Sequence, residues 1–175
     1  MFSIRVAKFS DAKKIARIRV DILHLAPPGK ISDAALNARS AKQRETFWRR
    51  RFQQARGLIF VIESDDIVGF CDLVPARDKD IDPKTVDEIA AVYVISEYWR
   101  MGAGKALCYH VLADARKRGC QALTLWVLAS NSNAMRFFES LGFIRDGAIK
   151  VETASDGSNL QKIRYRVKFN RPDQT

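Results

Sequence analysis

Residues Val92-Tyr93-Val94-Ile95-Ser96-Glu97-Tyr98-Trp99-Arg100-Met101-Gly102-Ala103-Gly104-Lys105 decide how this chain is read. An apolar strand runs into a Gly-x-Gly turn. An amphipathic helix follows, predicted over 104–118, with Leu107, Cys108, Val111, Leu112 and Ala115 at helical spacing. Such a turn lines up unsatisfied backbone N–H groups at the positive end of a helix, an arrangement suited to phosphate. Arg100 and Lys105 add positive charge beside it. A Walker A loop is excluded, because Gly104-Lys105 is followed by Ala106 and no hydroxyl is placed for magnesium. A dinucleotide fingerprint is excluded as well, since Leu107 stands where that motif needs a third glycine. Taken alone, the fragment fits a plain strand-to-helix turn equally well.

Working outward, the strand feeding the turn spans 89–94, preceded by a polar loop over 77–85. Upstream, Leu58-Ile59-Phe60-Val61-Ile62 and 67–74 read as a hairpin closed by Ser64-Asp65-Asp66. Residues 2–7 form a first strand. Ser10 or Asp11 then caps a helix with Ala12, Ile15, Ile18 and Ile22 on one face, broken at Pro27-Pro28-Gly29. A second helical region over 33–56 carries Phe47, Trp48 and Phe52 on one side and its arginines on the other. Downstream come a strand over 122–128, a helix over 131–141 closed by Gly142, and a strand near Phe143. In the last strand Lys162, Arg164, Arg166 and Lys168 alternate with Ile163, Tyr165, Val167 and Phe169, which predicts one wet face and one buried face. The pattern predicts an α/β fold, a mixed sheet with helices on both faces. One domain covers 1–170, with a polar tail at 171–175.

A chain of 175 residues suits a single core. No apolar run approaches the ~18–20 residues of a membrane span, and Met1-Phe2-Ser3-Ile4-Arg5 lacks the layout of a secretory signal. Cys71, Cys108 and Cys120 are scattered, an odd count that argues against a disulfide framework and points to a reducing cytoplasm. The chain has only two histidines, His24 and His110, and with three scattered cysteines they form no recognisable metal-site spacing. The formal charge is +10, spread along the chain with Arg49-Arg50-Arg51 as its one compact run. That distribution reads as a solvated basic surface rather than a nucleic-acid interface.

The segment Trp99-Arg100-Met101-Gly102-Ala103-Gly104 resembles the Gln/Arg-x-x-Gly-x-Gly/Ala pattern of the GNAT N-acetyltransferases, with Trp99 in the first position and Ser96 where proline is common. Asn131-Ser132-Asn133-Ala134-Met135-Arg136-Phe137-Phe138-Glu139-Ser140-Leu141-Gly142-Phe143 resembles that family's second signature, Asn-x-x-Ala-x-x-x-Tyr-x-x-x-Gly-Phe. The opening Ile4-Arg5-Val6-Ala7 with Asp11-Ala12 and the closing Arg164-Tyr165-Arg166-Val167 are similar too, so the resemblance spans nearly the whole chain.

The resemblance implies a mostly antiparallel central sheet with one splayed strand pair, and acetyl-CoA as cofactor. Amides of Arg100, Met101, Gly102, Ala103, Gly104 and Lys105 would hold its diphosphate. Backbone groups of Tyr93 and Val94 would meet the pantetheine arm and polarise the thioester carbonyl, and the strand ending near Leu128 would diverge to admit that arm. Asn131 is both a cofactor contact and a helix cap in this reading. Phe138 occupies the cofactor-facing position where the family often carries a tyrosine that protonates the departing thiolate, with water, Ser140, Tyr93, Tyr98 and Tyr165 as stand-ins. Glu88 is the candidate general base, with Asp87 and Glu97 as competitors and His24 as an outside candidate. The implied activity is acetyl transfer to a primary amine of a small molecule or peptide by direct attack in a ternary complex. Two other readings stay open: a CoA-binding or protein-interaction module that has lost catalysis, prompted by Phe138, and an RNA- or ribosome-associated acetyltransferase, prompted by the charge. Homodimers are common among similar proteins. The candidate acceptor loops, 24–41 and 77–87, carry no readable code.

Overall fold

The computed structural model describes residues 1–24, 41–54, 57–154 and 157–169. The Pro27-Pro28-Gly29 break, the rest of residues 25–40 and the 171–175 tail lie outside the described residues, as do the side chains of Ile22 and His24.

The described strands are β1 (Ser3–Val6), β2 (Leu58–Glu63), β3 (Ile67–Pro75), β4 (Val86–Val94), β5 (Ala122–Leu128), β6 (Ile144–Thr153) and β7 (Asn159–Lys168). They form one sheet in the order β1-β2-β3-β4-β5-β7-β6. Every neighbouring pair is antiparallel except β4 and β5, which are parallel. The described helices are α1 (Ala12–His24), α2 (Ala41–Gln53), α3 (Ala103–Lys117) and α4 (Ser132–Glu139). The parallel β4–β5 junction requires a crossover, and α3 supplies it. None of these helices is long and apolar enough to cross a membrane.

β2 and β3 are near-continuous apolar runs because both their faces are covered. On one face Leu107, Cys108, Val111, Leu112 and Ala115 of α3 pack with Phe60, Ile62, Cys71 and Leu73. On the other, Ala12, Ile15, Ala16 and Ile18 of α1 and Trp48 of α2 pack with Ile59, Val61 and Phe70. Trp48 is the bulkiest side chain there, edge-on to Phe70 at 5.0 Å.

Three sequence expectations need correction. Asp11 does not cap α1; a 3₁₀ turn (Phe9–Asp11) comes first, and the Asp11 carboxylate accepts from the Lys8 N–H at 2.7 Å and from Arg5 at 2.7 Å. The arginines of the second helix are not all on its wet side, for Arg44 and Arg51 are buried. The strand expected near Phe143 is present as the ten-residue edge strand β6. Arg164, assigned to the wet face of β7, is only 5% exposed.

Arg164 is buried because three carboxylates meet it. Its guanidinium pairs with Asp78 at 3.1 Å, Asp80 at 2.6 Å and Asp146 at 2.7 Å, and Trp126 Nε1 also donates to Asp78 at 3.0 Å. This cluster pins the loop before β4 across β5 and β7. The hydrogen bond from Arg164 holds the Asp80 carboxyl down to about 2, from an ordinary 3.8. Its folded value lies below its unfolded one, so the stabilisation is present above about pH 4 and is lost as pH falls through about 2. Urea midpoints are expected to fall across that window, and Asp80→Asn is expected to flatten the fall. The effect will be modest, because the Asp80 side chain is 64% exposed and screened by solvent.

Candidate active site

Strand β4 ends at Val94, and a 3₁₀ turn (Ser96–Tyr98) leads to α3. Trp99 folds back so that its indole Nε1 donates to the Val94 carbonyl at 2.6 Å. Two residues of the turn then adopt left-handed backbone: Arg100 at φ 61° and Gly102 at φ 87°. For Arg100 this is an uncommon, strained conformation, the kind retained at sites where it is needed. Left-handed residues interspersed in a turn aim successive N–H groups into one concavity. Met101 N–H reaches the Tyr98 carbonyl at 3.4 Å, and the first helical bond runs from Ala106 N–H to Gly102 at 2.9 Å. Among the described residues no protein acceptor meets the amides of Arg100, Gly102, Ala103, Gly104 or Lys105. The head of α3 is therefore a set of bare donors. A side chain at Gly104 would stand 3.6 Å from the Phe137 ring, so the helix starts flush against α4. The Arg100 and Lys105 side chains are exposed at the rim, with Lys105 Nζ 5.6 Å from the Tyr109 ring centroid.

A groove leads away from those donors. β4 and β5 pair at three positions, Val86↔Ala122, Asp87↔Leu123 and Glu88↔Thr124, after which β4 follows β3 and β5 follows β7. The two strands diverge beyond Glu88, as expected of a splayed pair. Which backbone groups face the gap is a matter of parity. Ile95 N–H donates to Val68 at 2.9 Å, so with Val94 opposite Gly69 the next bonded pair is Phe70 with Tyr93. The Tyr93 carbonyl indeed lies 2.6 Å from where a Cβ on Gly69 would stand. The backbone of Tyr93 is thus committed to β3, and Val92 and Val94 face the groove. With the Val94 carbonyl taken by Trp99, the Val94 N–H is the donor presented there. The Tyr93 side chain points to the opposite face, 5.5 Å from Phe70 and 6.0 Å from the Arg19 guanidinium.

That opposite face holds the acidic candidates. The β3–β4 register shifts so that Asp72 opposes Ala91 and Leu73 opposes Ile89, leaving Ala90 with no partner. This bulge bends β4 beside the groove, a place where bulges commonly re-aim functional groups. Phe70, Asp72 and Val74 of β3 share a face with Glu88, Ala91 and Tyr93 of β4. Glu88 is 3% exposed, and Arg77 grips its carboxylate with Nη2 at 2.5 Å and Nε at 3.2 Å. Asp72 is also buried, paired with Arg51 at 2.7 Å. Burial pushes the Asp72 carboxyl up, against the opposing pull of Arg51, Arg77 and Arg19. A cavity of roughly 710 Å³ opens on this face, lined by Phe47, Arg50, Arg51, Asp72, Arg77 and Ala90 among others. Its size is within the range that admits a small molecule or the end of a peptide.

The remaining candidates divide. Asp87 is bonded to Arg118 at 2.9 Å and Cys120 at 3.4 Å, away from the cavity, and Glu97 is exposed beside Ser96. Asn131 caps α4, its side-chain oxygen accepting from Ala134 N–H at 3.0 Å while its own N–H donates to Leu128 at 2.9 Å. Phe138 is half-buried, edge-on to Phe137 at 5.1 Å and Phe143 at 5.7 Å. Two of its suggested stand-ins are engaged: the Ser140 hydroxyl donates to the Phe137 carbonyl, and the Tyr165 hydroxyl donates to Glu139 and accepts from Arg145. Asp72, Arg51, Arg77 and the Ala90 bulge were missed from sequence. Asp72 had a signal, a lone acid within the apolar run Gly69-Phe70-Cys71-Asp72-Leu73-Val74.

The sequence model of the acetyltransferase (GNAT) family matches residues 27–143. The uncharacterized N-acetyltransferase YuaI of Bacillus subtilis is 28% identical over 134 residues, 75% of this chain and 74% of YuaI. The ribosomal protein bS18-alanine N-acetyltransferase of Escherichia coli K12 is 43% identical over 63 residues, 36% of this chain and 40% of that enzyme. Among solved structures, PaiA N-acetyltransferase of Thermoplasma acidophilum in complex with coenzyme A superposes with a TM-score of 0.71 at 18% identity, covering 97% of this chain and 99% of that one.

Proposed function

Because the chain belongs to the GNAT family of acetyltransferases, which use acetyl-CoA, we propose that it moves the acetyl group onto a primary amine by direct attack within a ternary complex. The observation that carries this reading is the set of bare amides at the head of α3, opening onto the gap between β4 and β5. Acetyl-CoA supplies the acetyl group already activated as a thioester. The chain's own residues do the rest. Amides of Arg100, Gly102, Ala103, Gly104 and Lys105 hold the diphosphate, helped by the α3 dipole and by the Arg100 and Lys105 side chains. Val92 and Val94 line the arm, and the Val94 N–H polarises the thioester carbonyl as an oxyanion-type donor. The amine arrives from the cavity beside the Ala90 bulge. Glu88, held in place by Arg77, accepts its proton directly or through one water. As the N–C bond forms, the C–S bond breaks. Phe138 has no proton to give, so the thiolate takes its proton from solvent. The alanine N-acetyltransferase relative supports a peptide amine as one acceptor type, beside small amines.

The test is a panel of amines with acetyl-CoA, reading free thiol and N-acetyl product together. Stoichiometric product supports the reading. CoA binding with no thiol release above hydrolysis would instead favour a binding module. A second result probes the turn. A Cβ at Gly102 meets nothing within 4 Å, so substitution there acts through its φ of 87° alone. Gly102→Val forces a β-branched residue into that region at about 1–3 kcal/mol. The KM for acetyl-CoA is expected to rise about tenfold while kcat changes little.

A further inference from the structure

The acceptor cavity is unusually rich in arginine. Arg50, Arg51 and Arg77 line it, and Arg19 stands near enough to act on Asp72 at its wall. Facing these four cations are two carboxylates, Asp72 and Glu88. Asp72 is paired with Arg51, and Glu88 with Arg77. Among these described residues the balance is two positive charges in excess. Arg50 is exposed and meets no carboxylate among the described residues, and the contact found for Arg19 is the face of Tyr93. Arg77 keeps 65% of its side chain exposed even while it holds Glu88, so its outer edge stays available. An acceptor carrying only an ammonium group would approach against this field. An acceptor that also carries an anionic group would be drawn in, because guanidinium forks bind carboxylate and phosphate in a bidentate way. Phe47 adds an apolar wall to the same cavity.

We infer that the acceptor is a primary amine bearing an anionic group, its carboxylate or phosphate met by Arg50 and Arg77 while its amine reaches the bulge at Ala90. This rests on the acetyltransferase reading above and narrows the acceptor class for that site. The anion could belong to a small molecule or to a short acidic peptide, and the assay separates the two. Thiol release from acetyl-CoA is measured with free amino acids, their carboxamides, unsubstituted alkylamines, phosphoethanolamine, and dipeptides with and without acidic side chains. The expected result is a kcat/KM at least about tenfold higher for the anionic member of each matched pair. Arg50→Glu should erase that preference, and Arg50→Lys, which keeps the charge but loses the fork, should keep only part of it. Which arm wins, amino acid or acidic dipeptide, identifies the source of the anion. Equal or better rates with neutral partners would overturn the inference, as would a preference untouched by Arg50→Glu. So would inactivity of every anionic amine in a protein that still binds CoA by titration calorimetry. Loss of CoA binding itself would instead count against the acetyltransferase reading.

Discussion

Glu88→Gln is expected to lower kcat/KM for the amine by about 10²–10⁴, the usual contribution of a positioned proton acceptor. Glu88 sits at the last paired position of β4 and β5, on the face that carries the cavity and two residues before the unpaired Ala90. An ammonium cannot attack a thioester until it loses a proton, and Glu88 is the carboxylate held nearest the point where the strands part. Glutamine preserves its size and can still bond Arg77, so the fold should survive. The loss should fall on kcat/KM for the amine while the affinity for acetyl-CoA, set at the other end of the groove, stays within a few-fold. Raising the pH should recover part of the rate, because more amine is then already neutral. A variant within about fivefold of the parent at neutral pH would remove Glu88 from the mechanism.

The largest stability effect is expected at Arg51. This side chain is 7% exposed and bridges α2 to β3, donating to Asp72 at 2.7 Å and to the Leu73 carbonyl at 3.1 Å. Arg51→Met would leave the Asp72 carboxylate buried beside an apolar chain. Breaking one partner of a buried pair in this way typically destabilises by about 3–5 kcal/mol. Burial already raises the Asp72 carboxyl, and losing Arg51 raises it further. A folded value above the unfolded one means the native state holds the extra proton, so stability falls as pH rises through that interval. The Arg51→Met deficit should therefore be larger at pH 8 than at pH 5 in urea unfolding. The double variant Arg51→Met with Asp72→Leu should recover most of the loss, since it leaves no lone charge. A deficit independent of pH would show that the pair is not the cause.

The parts of the site that rest on local order were legible in the sequence. The turn at Gly102 and Gly104, the buried stripe of α3 and the β2–β3 hairpin each follow from neighbours within one or two turns of chain. What escaped depends on distant partners. The alternation Lys162, Arg164, Arg166, Lys168 looks wet until Asp78 and Asp80 arrive from more than eighty positions away to bury Arg164. The Ala90 bulge is a property of the β3–β4 register, and nothing in Glu88-Ile89-Ala90-Ala91 announces it. The same register decides that Val94 rather than Tyr93 offers its N–H to the groove, a one-residue question that β4 alone cannot answer. The length of β6 was hidden because Gly147 interrupts its pattern and, as an edge strand, it leaves Ile144, Ile149 and Val151 exposed. Both signatures lay on the chain itself, which is why the cofactor side was read more fully than the acceptor side.

The central claim is that bare amides at the head of α3 grip the diphosphate of coenzyme A. Titration calorimetry comparing acetyl-CoA with S-acetylpantetheine, which keeps the acyl arm and lacks the diphosphate and nucleotide, tests it most directly. Hydrogen bonds to charged groups contribute about 1.5–3 kcal/mol each, so two or more predict at least about a hundredfold tighter binding of acetyl-CoA. Gly102→Val should narrow that gap. Equal affinity for the two compounds, or a gap that Gly102→Val leaves unchanged, would contradict the account.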